Sequence, residues 1–179
     1  MSNGVHRIQR VSRFMKALCT AILVVVPAVL VLVWVYFADL AHHFGGLGKI
    51  PYDLERVGWP HLLAGFAVSM VPAVIVLYGV SRLRRLFDLY GRGIVFGTEN
   101  AGCIRGFAIS LIGAAALKPF VGAALSVILT ISNDPGKRVL SVELSSTDLA
   151  LLFLGGVLLV ISWVMREGSV LADENAQIV

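Results

Sequence analysis

Four long apolar runs constrain this chain more than any motif does. They cover residues 17–38, 61–80, 106–131 and 149–165, and the only Asp, Glu, Lys or Arg inside them is Lys118. A lipid core of about 30 Å is crossed by roughly 20 helical residues. The first three runs reach that length, and the fourth reaches it with a short extension or local thinning of the bilayer. Lipid offers backbone groups no hydrogen bonds, so such runs cross as helices. They do not alternate in polarity, as the strands of a membrane barrel do. Of the 179 residues, 58% are apolar and only 15% are charged, against roughly 25% charged in a soluble domain. A soluble domain of this size has too much surface for its volume to hide that apolar excess. An extended DNA-binding arm, a disulfide scaffold and a disordered chain are excluded as well. The predicted fold class is all-α: one polytopic membrane domain over residues 1–179, with four transmembrane helices.

Arg7, Arg10, Arg13 and Lys16 precede the first run as they would precede a secretory signal. The run is longer than the roughly 7–15 residues of a signal core, so it reads as a retained helix. Basic flanks set the expected orientation. Those four residues, Arg82, Arg84, Arg85, Arg92 and Arg105 in the second connection, and Arg166 all fall on one side. Lys49, Arg56, Lys137 and Arg138 fall on the other. Both termini are therefore expected in the cytoplasm.

Outside the runs, Gly45-Gly46-Leu47-Gly48 is a flexible stretch of the first outer loop. Trp34, Tyr36 and Trp59 stand where an outer aromatic belt is expected. Asn133-Asp134-Pro135-Gly136 signals a turn. Leu140, Val142 and Leu144 alternate with Ser141 and Glu143 as a short strand would. One of Ser145, Ser146, Thr147 and Asp148 then caps the last helix. In the inner connection, residues 81–105, Leu83, Leu86, Phe87 and Tyr90 recur at helical spacing opposite Arg82, Arg85 and Asp88. The second helix should therefore run on past the membrane as an amphipathic segment. Gly91-Arg92-Gly93 should break it, and Gly97 or Thr98 should cap the third helix with Glu99 in its first turn.

The run Leu83-Arg84-Arg85-Leu86-Phe87-Asp88-Leu89-Tyr90, then Gly93, Phe96 and Glu99-Asn100, resembles a bacterial membrane family, domain of unknown function 2975. Val157 to Val164, Glu167-Gly168, Leu171 and Asp173-Glu174-Asn175 are similar to that family's apolar last helix and acidic tail. Gly97 departs from the family's usual Thr, and Ala176-Gln177 from its more usual Asp-Leu-Thr. The resemblance implies a four-helix membrane protein and supplies no catalytic residue. Some members are encoded beside small helix-turn-helix regulators, which implies a regulatory pairing.

Lys118 is the most unusual residue. A charge at mid-membrane costs about 2.5–3.5 kcal/mol on insertion scales, so it should face protein or water. Gly106, Ser110, Ala114, Lys118, Gly122 and Ser126 follow one another at i, i+4, a spacing of small residues that suits close helix packing. The runs themselves contain no acid. Ser69, Tyr78 and Ser162, or the carbonyls freed by Pro119, are the expected partners. Lys118, Pro119 and Ser110 form a hypothetical intramembrane polar site.

Other constellations are weaker. His42-His43 with Asp39, Asp53 or His61 fits no strong metal spacing. Cys19 and Cys103 lie near the inner face without a redox motif. Gly91-Arg92-Gly93 lacks the strand and the Lys-Ser/Thr of a phosphate loop. Ser69 and Ser162 have no His or acid beside them in sequence. The expected function is a non-enzymatic membrane protein that anchors or regulates a cytoplasmic partner such as a helix-turn-helix transcription regulator. Its contact surface is expected at Arg82, Arg85, Tyr90, Phe96 and Asn100, with the tail from Arg166. The alternative is an oligomeric small-solute or ion transporter with Lys118 lining the path. The expected partners are the lipid bilayer, the regulator and further copies of the chain. No direct nucleic-acid contact, cofactor, metal or catalytic residue is expected.

Overall fold

The computed structural model describes residues 2–44, 57–95, 97–134, 136 and 138–177. It is helical, with no strand among those residues. The elements in order are α1 (Ser2–Val35), α2 (Phe37–Phe44), α3 (Trp59–Gly91), α4 (Thr98–Thr130) and α5 (Ser146–Gln177). α1, α3, α4 and α5 each contain a stretch long and apolar enough to cross a membrane.

The helices outrun the apolar runs because lipid thickness limits the run, not the helix. α1, α3 and α5 reach well past residues 17, 80 and 165. In α3 the extension carries an i, i+4 ion pair, Arg92 to Asp88 at 2.5 Å, the spacing that supports a helix surface. Gly93 ends it. Its φ of 83° is left-handed, the Ile94 N–H donates back to the Leu89 carbonyl, and the Gly93 N–H donates to that of Tyr90. These are the two bonds of a Schellman ending, which a glycine makes without a Cβ penalty.

Extensive contacts join α1 to α3, α3 to α4 and α4 to α5. The helices therefore stand side by side in a row with α1 and α5 outermost, and because neighbours run antiparallel both termini lie at the same end of the helix axes. Lipid gives helices no hydrophobic reason to associate, so close approach has to come from small residues. Gly65 of α3 lies flat against the Trp34 ring of α1, and Gly79 of α3 lies against Ser110 of α4. Gly155 of α5 is so close to α4 that a Cβ there would come within 3.2 Å of the Ala108 carbonyl oxygen.

Trp34 does not join an aromatic belt. It is buried, stacked on Phe37 at 5.4 Å between ring centres, and forms a core with Leu129. The glycine at position 65 makes the slot that takes the ring inward. Trp59 does stay exposed. A second core, Leu86, Leu89 and Cys103, ties α3 to α4 at the end that carries the termini.

The alternating segment at 140–144 is extended but pairs with no strand. It runs back along the upper half of α4 and takes its hydrogen bonds from hydroxyls there. The Ser141 N–H donates to Ser126 Oγ at 3.0 Å, and the Val139 N–H to Thr130 Oγ at 3.2 Å. A helix has no free backbone edge to offer a strand, so side-chain oxygens serve instead.

Candidate functional site

Lys118 ends in an ion pair. Its Nζ lies 2.7 Å from Asp148 Oδ1 and 3.4 Å from Ser145 Oγ. The other carboxylate oxygen, Oδ2, accepts from the Ser145 N–H at 2.9 Å and from the Ser145 hydroxyl at 2.7 Å. The Asp148 N–H donates in return to Ser145 Oγ at 3.3 Å. Ser145 is thus the N-cap of α5, and Asp148 closes a reciprocal capping box three residues on. The Asp148 side chain is 2% exposed, while that of Lys118 is 55% exposed.

This geometry corrects several expectations. The partner of Lys118 is Asp148 with Ser145, and not Ser69, Tyr78 or Ser162. The carbonyls behind Pro119 are not needed, because a carboxylate is the stronger acceptor for an ammonium. Lys118 also does not face an enclosed interior, since half of its side chain lies on the surface. Ser110 does not join it. Its hydroxyl donates to the Phe107 carbonyl at 2.7 Å, and it packs on Gly79 of α3. At 100° per residue, each step of four overshoots a full turn by about 40°. The small-residue series therefore winds from the α3 side at Gly106 and Ser110 to the α5 side at Lys118.

Asp148 escaped the sequence reading because it stands just outside the 149–165 run, in a group of four capping residues. The signal was present as Ser145-x-x-Asp148, the spacing of a capping box. Only the fold shows that the start of α5 meets the middle of α4.

At the other end of the row, ion pairs clasp the helices. Lys16 of α1 reaches Asp88 of α3 at 2.5 Å. Arg85 of α3 reaches Glu99 of α4 at 2.6 Å, with Arg84 Nε donating to Thr20 of α1 at 3.0 Å. These pairs are partly exposed and so contribute at most about 1 kcal/mol each; they set register more than stability.

The proposed contact residues do not form one face. Arg82 lies over the Tyr78 ring, 4.9 Å from its centre, with its methylene stem across Gly106. Arg85 is exposed and engaged with Glu99. Tyr90 is half-buried against the Leu86, Leu89 and Cys103 core. Asn100 is 0% exposed, and its Nδ2 donates to the Ile94 carbonyl at 3.0 Å. It holds the connection from inside and offers no surface. Phe96, Asp53 and the stretch 45–48 lie outside the described residues. Cys19 and Cys103 are free and buried. Cys19 is on α1 and Cys103 on α4, both toward the end with the termini.

No curated protein and no solved structure matches the chain. The family described as "Protein of unknown function (DUF2975)" matches residues 47–179, which takes in α3, the clasped connection, α4 with Lys118, and α5. That stretch is most of the chain, so the protein belongs to this family.

Proposed function

We propose that the protein is a non-enzymatic, multi-pass protein of the bacterial inner membrane that anchors or regulates a cytoplasmic partner. The observation that carries this reading is the reach of α5. It continues past its apolar run to Gln177, with Arg166, Glu167, Val170 and Leu171 exposed. A helix that leaves the lipid with exposed apolar and charged side chains offers a groove or a second helix something to hold. The extension of α3 reaches the same end, and the excess of basic residues there supports a cytoplasmic position for it. The helix-turn-helix neighbours implied by the family resemblance make a small DNA-binding protein the first candidate.

Transport has less support. The cation that would line a path is already engaged by Asp148 and Ser145. Among the described residues the outermost helices α1 and α5 make no extensive contact, so a closed path would need further copies of the chain.

Co-purification in mild detergent with the products of neighbouring genes tests the proposal. The intact chain is expected to retain a DNA-binding protein in fixed ratio. A version lacking residues 166–179 is expected to insert normally and lose it. An intact chain that retains no partner, yet drives solute flux in reconstituted vesicles, would overturn the anchoring role in favour of transport.

A further inference from the structure

Between α3 and α4, at the end that carries the termini, lies a groove of about 330 Å³ lined by Tyr78, Arg82, Arg85, Glu99, Arg105 and Ile109, with Gly102 and Gly106 among its other lining residues. Three guanidinium groups face one carboxylate there. Glu99 is committed to Arg85, Arg82 rests on Tyr78, and Arg105 is exposed with no ion pair among the described residues. The groove therefore carries an uncompensated positive charge. Gly102 leaves the α4 backbone bare on its floor, while the Arg82 stem covers Gly106. Tyr78 and Ile109 belong to the apolar runs and are 46% and 50% exposed. The groove thus spans the step from apolar wall to basic rim, the level at which a phospholipid headgroup sits.

The geometry points to a site for the phosphate of an anionic phospholipid, held by Arg82 and Arg105, with an acyl chain lying along Tyr78 and Ile109. Planar guanidinium groups match phosphate in shape and charge, and basic pockets between membrane helices suit anionic headgroups. A free phosphate ion would use the arginines but not the apolar wall. This inference rests on the membrane reading and is independent of any cytoplasmic partner, because its test uses the purified protein alone.

Gly102 supplies a selective block. A Cβ there meets nothing within 4 Å, so Gly102→Leu starts in open space and adds apolar bulk to the groove lining. The delipidated protein in neutral detergent is titrated with phosphatidylglycerol, phosphatidylcholine or inorganic phosphate, and bound lipid is read by native mass spectrometry. Saturable retention of phosphatidylglycerol over phosphatidylcholine is expected. It should weaken about fivefold in Arg105→Gln, the loss expected for one basic residue at a headgroup. Gly102→Leu should largely abolish it. Equal retention of the two lipids, or no change in Arg105→Gln, overturns the proposal even if Gly102→Leu fails to fold. Displacement of phosphatidylglycerol by millimolar inorganic phosphate assigns the groove to the free ion and overturns the lipid assignment.

Discussion

Replacing Lys118 with Met is expected to destabilise the solubilised protein by about 2–4 kcal/mol, slightly below the usual cost of breaking a buried ion pair. The variant keeps the length and adds apolarity, but it leaves a carboxylate that is 2% exposed with only Ser145 to satisfy it. Asp148→Asn should cost less, about 1–2 kcal/mol, because the amide leaves no buried charge behind and the half-exposed ammonium on its flexible stem can turn to another acceptor. The amide oxygen can still accept from the Ser145 N–H. The double variant should be no less stable than Lys118→Met alone, since removing both charges removes the stranded carboxylate. Unfolding in mixed micelles measures all three. Additive losses would show that the two residues act separately.

Gly65→Ala should destabilise the packing of α1 on α3 by about 1–3 kcal/mol, the usual cost of forcing volume into a filled core. A Cβ at that position collides with the Trp34 ring. The ring cannot swing clear, because it is stacked on Phe37 and walled by Leu129. Trp34→Leu should relieve the collision, so the double variant is expected to recover part of the loss. Thermal unfolding of the two single variants and the double checks this. A Gly65→Ala protein as stable as the parent would contradict the packing described at that end of the row.

The four helices were legible because lipid thickness writes itself into run length. Lys118 was legible because a lone charge in an apolar run has few places to go. The order of the helices was not. In a membrane chain the faces turned to lipid and to protein are both apolar, so periodicity does not tell them apart. The pairing of Lys118 with Asp148 spans 30 residues and depends on where α5 begins against α4. Asn100 belongs to the expected contact surface but is buried. Its burial follows from the turn that brings the Ile94 carbonyl back over the start of α4. The alternation at 140–144 predicts a short strand that does not form, and the Ser141 N–H donates to the Ser126 hydroxyl instead.

The whole account stands on four crossings with both termini in the cytoplasm. Single cysteines introduced as Ser2→Cys, Gly136→Cys and Gln177→Cys, in a background with Cys19 and Cys103 replaced by Ser, test that directly with a membrane-impermeant thiol reagent. Gly136→Cys is expected to react in intact spheroplasts. Ser2→Cys and Gln177→Cys are expected to react only after permeabilisation. Labelling of Gly136→Cys only after permeabilisation, or of either terminal cysteine before it, would contradict the orientation and remove the cytoplasmic surface on which the proposed partner depends.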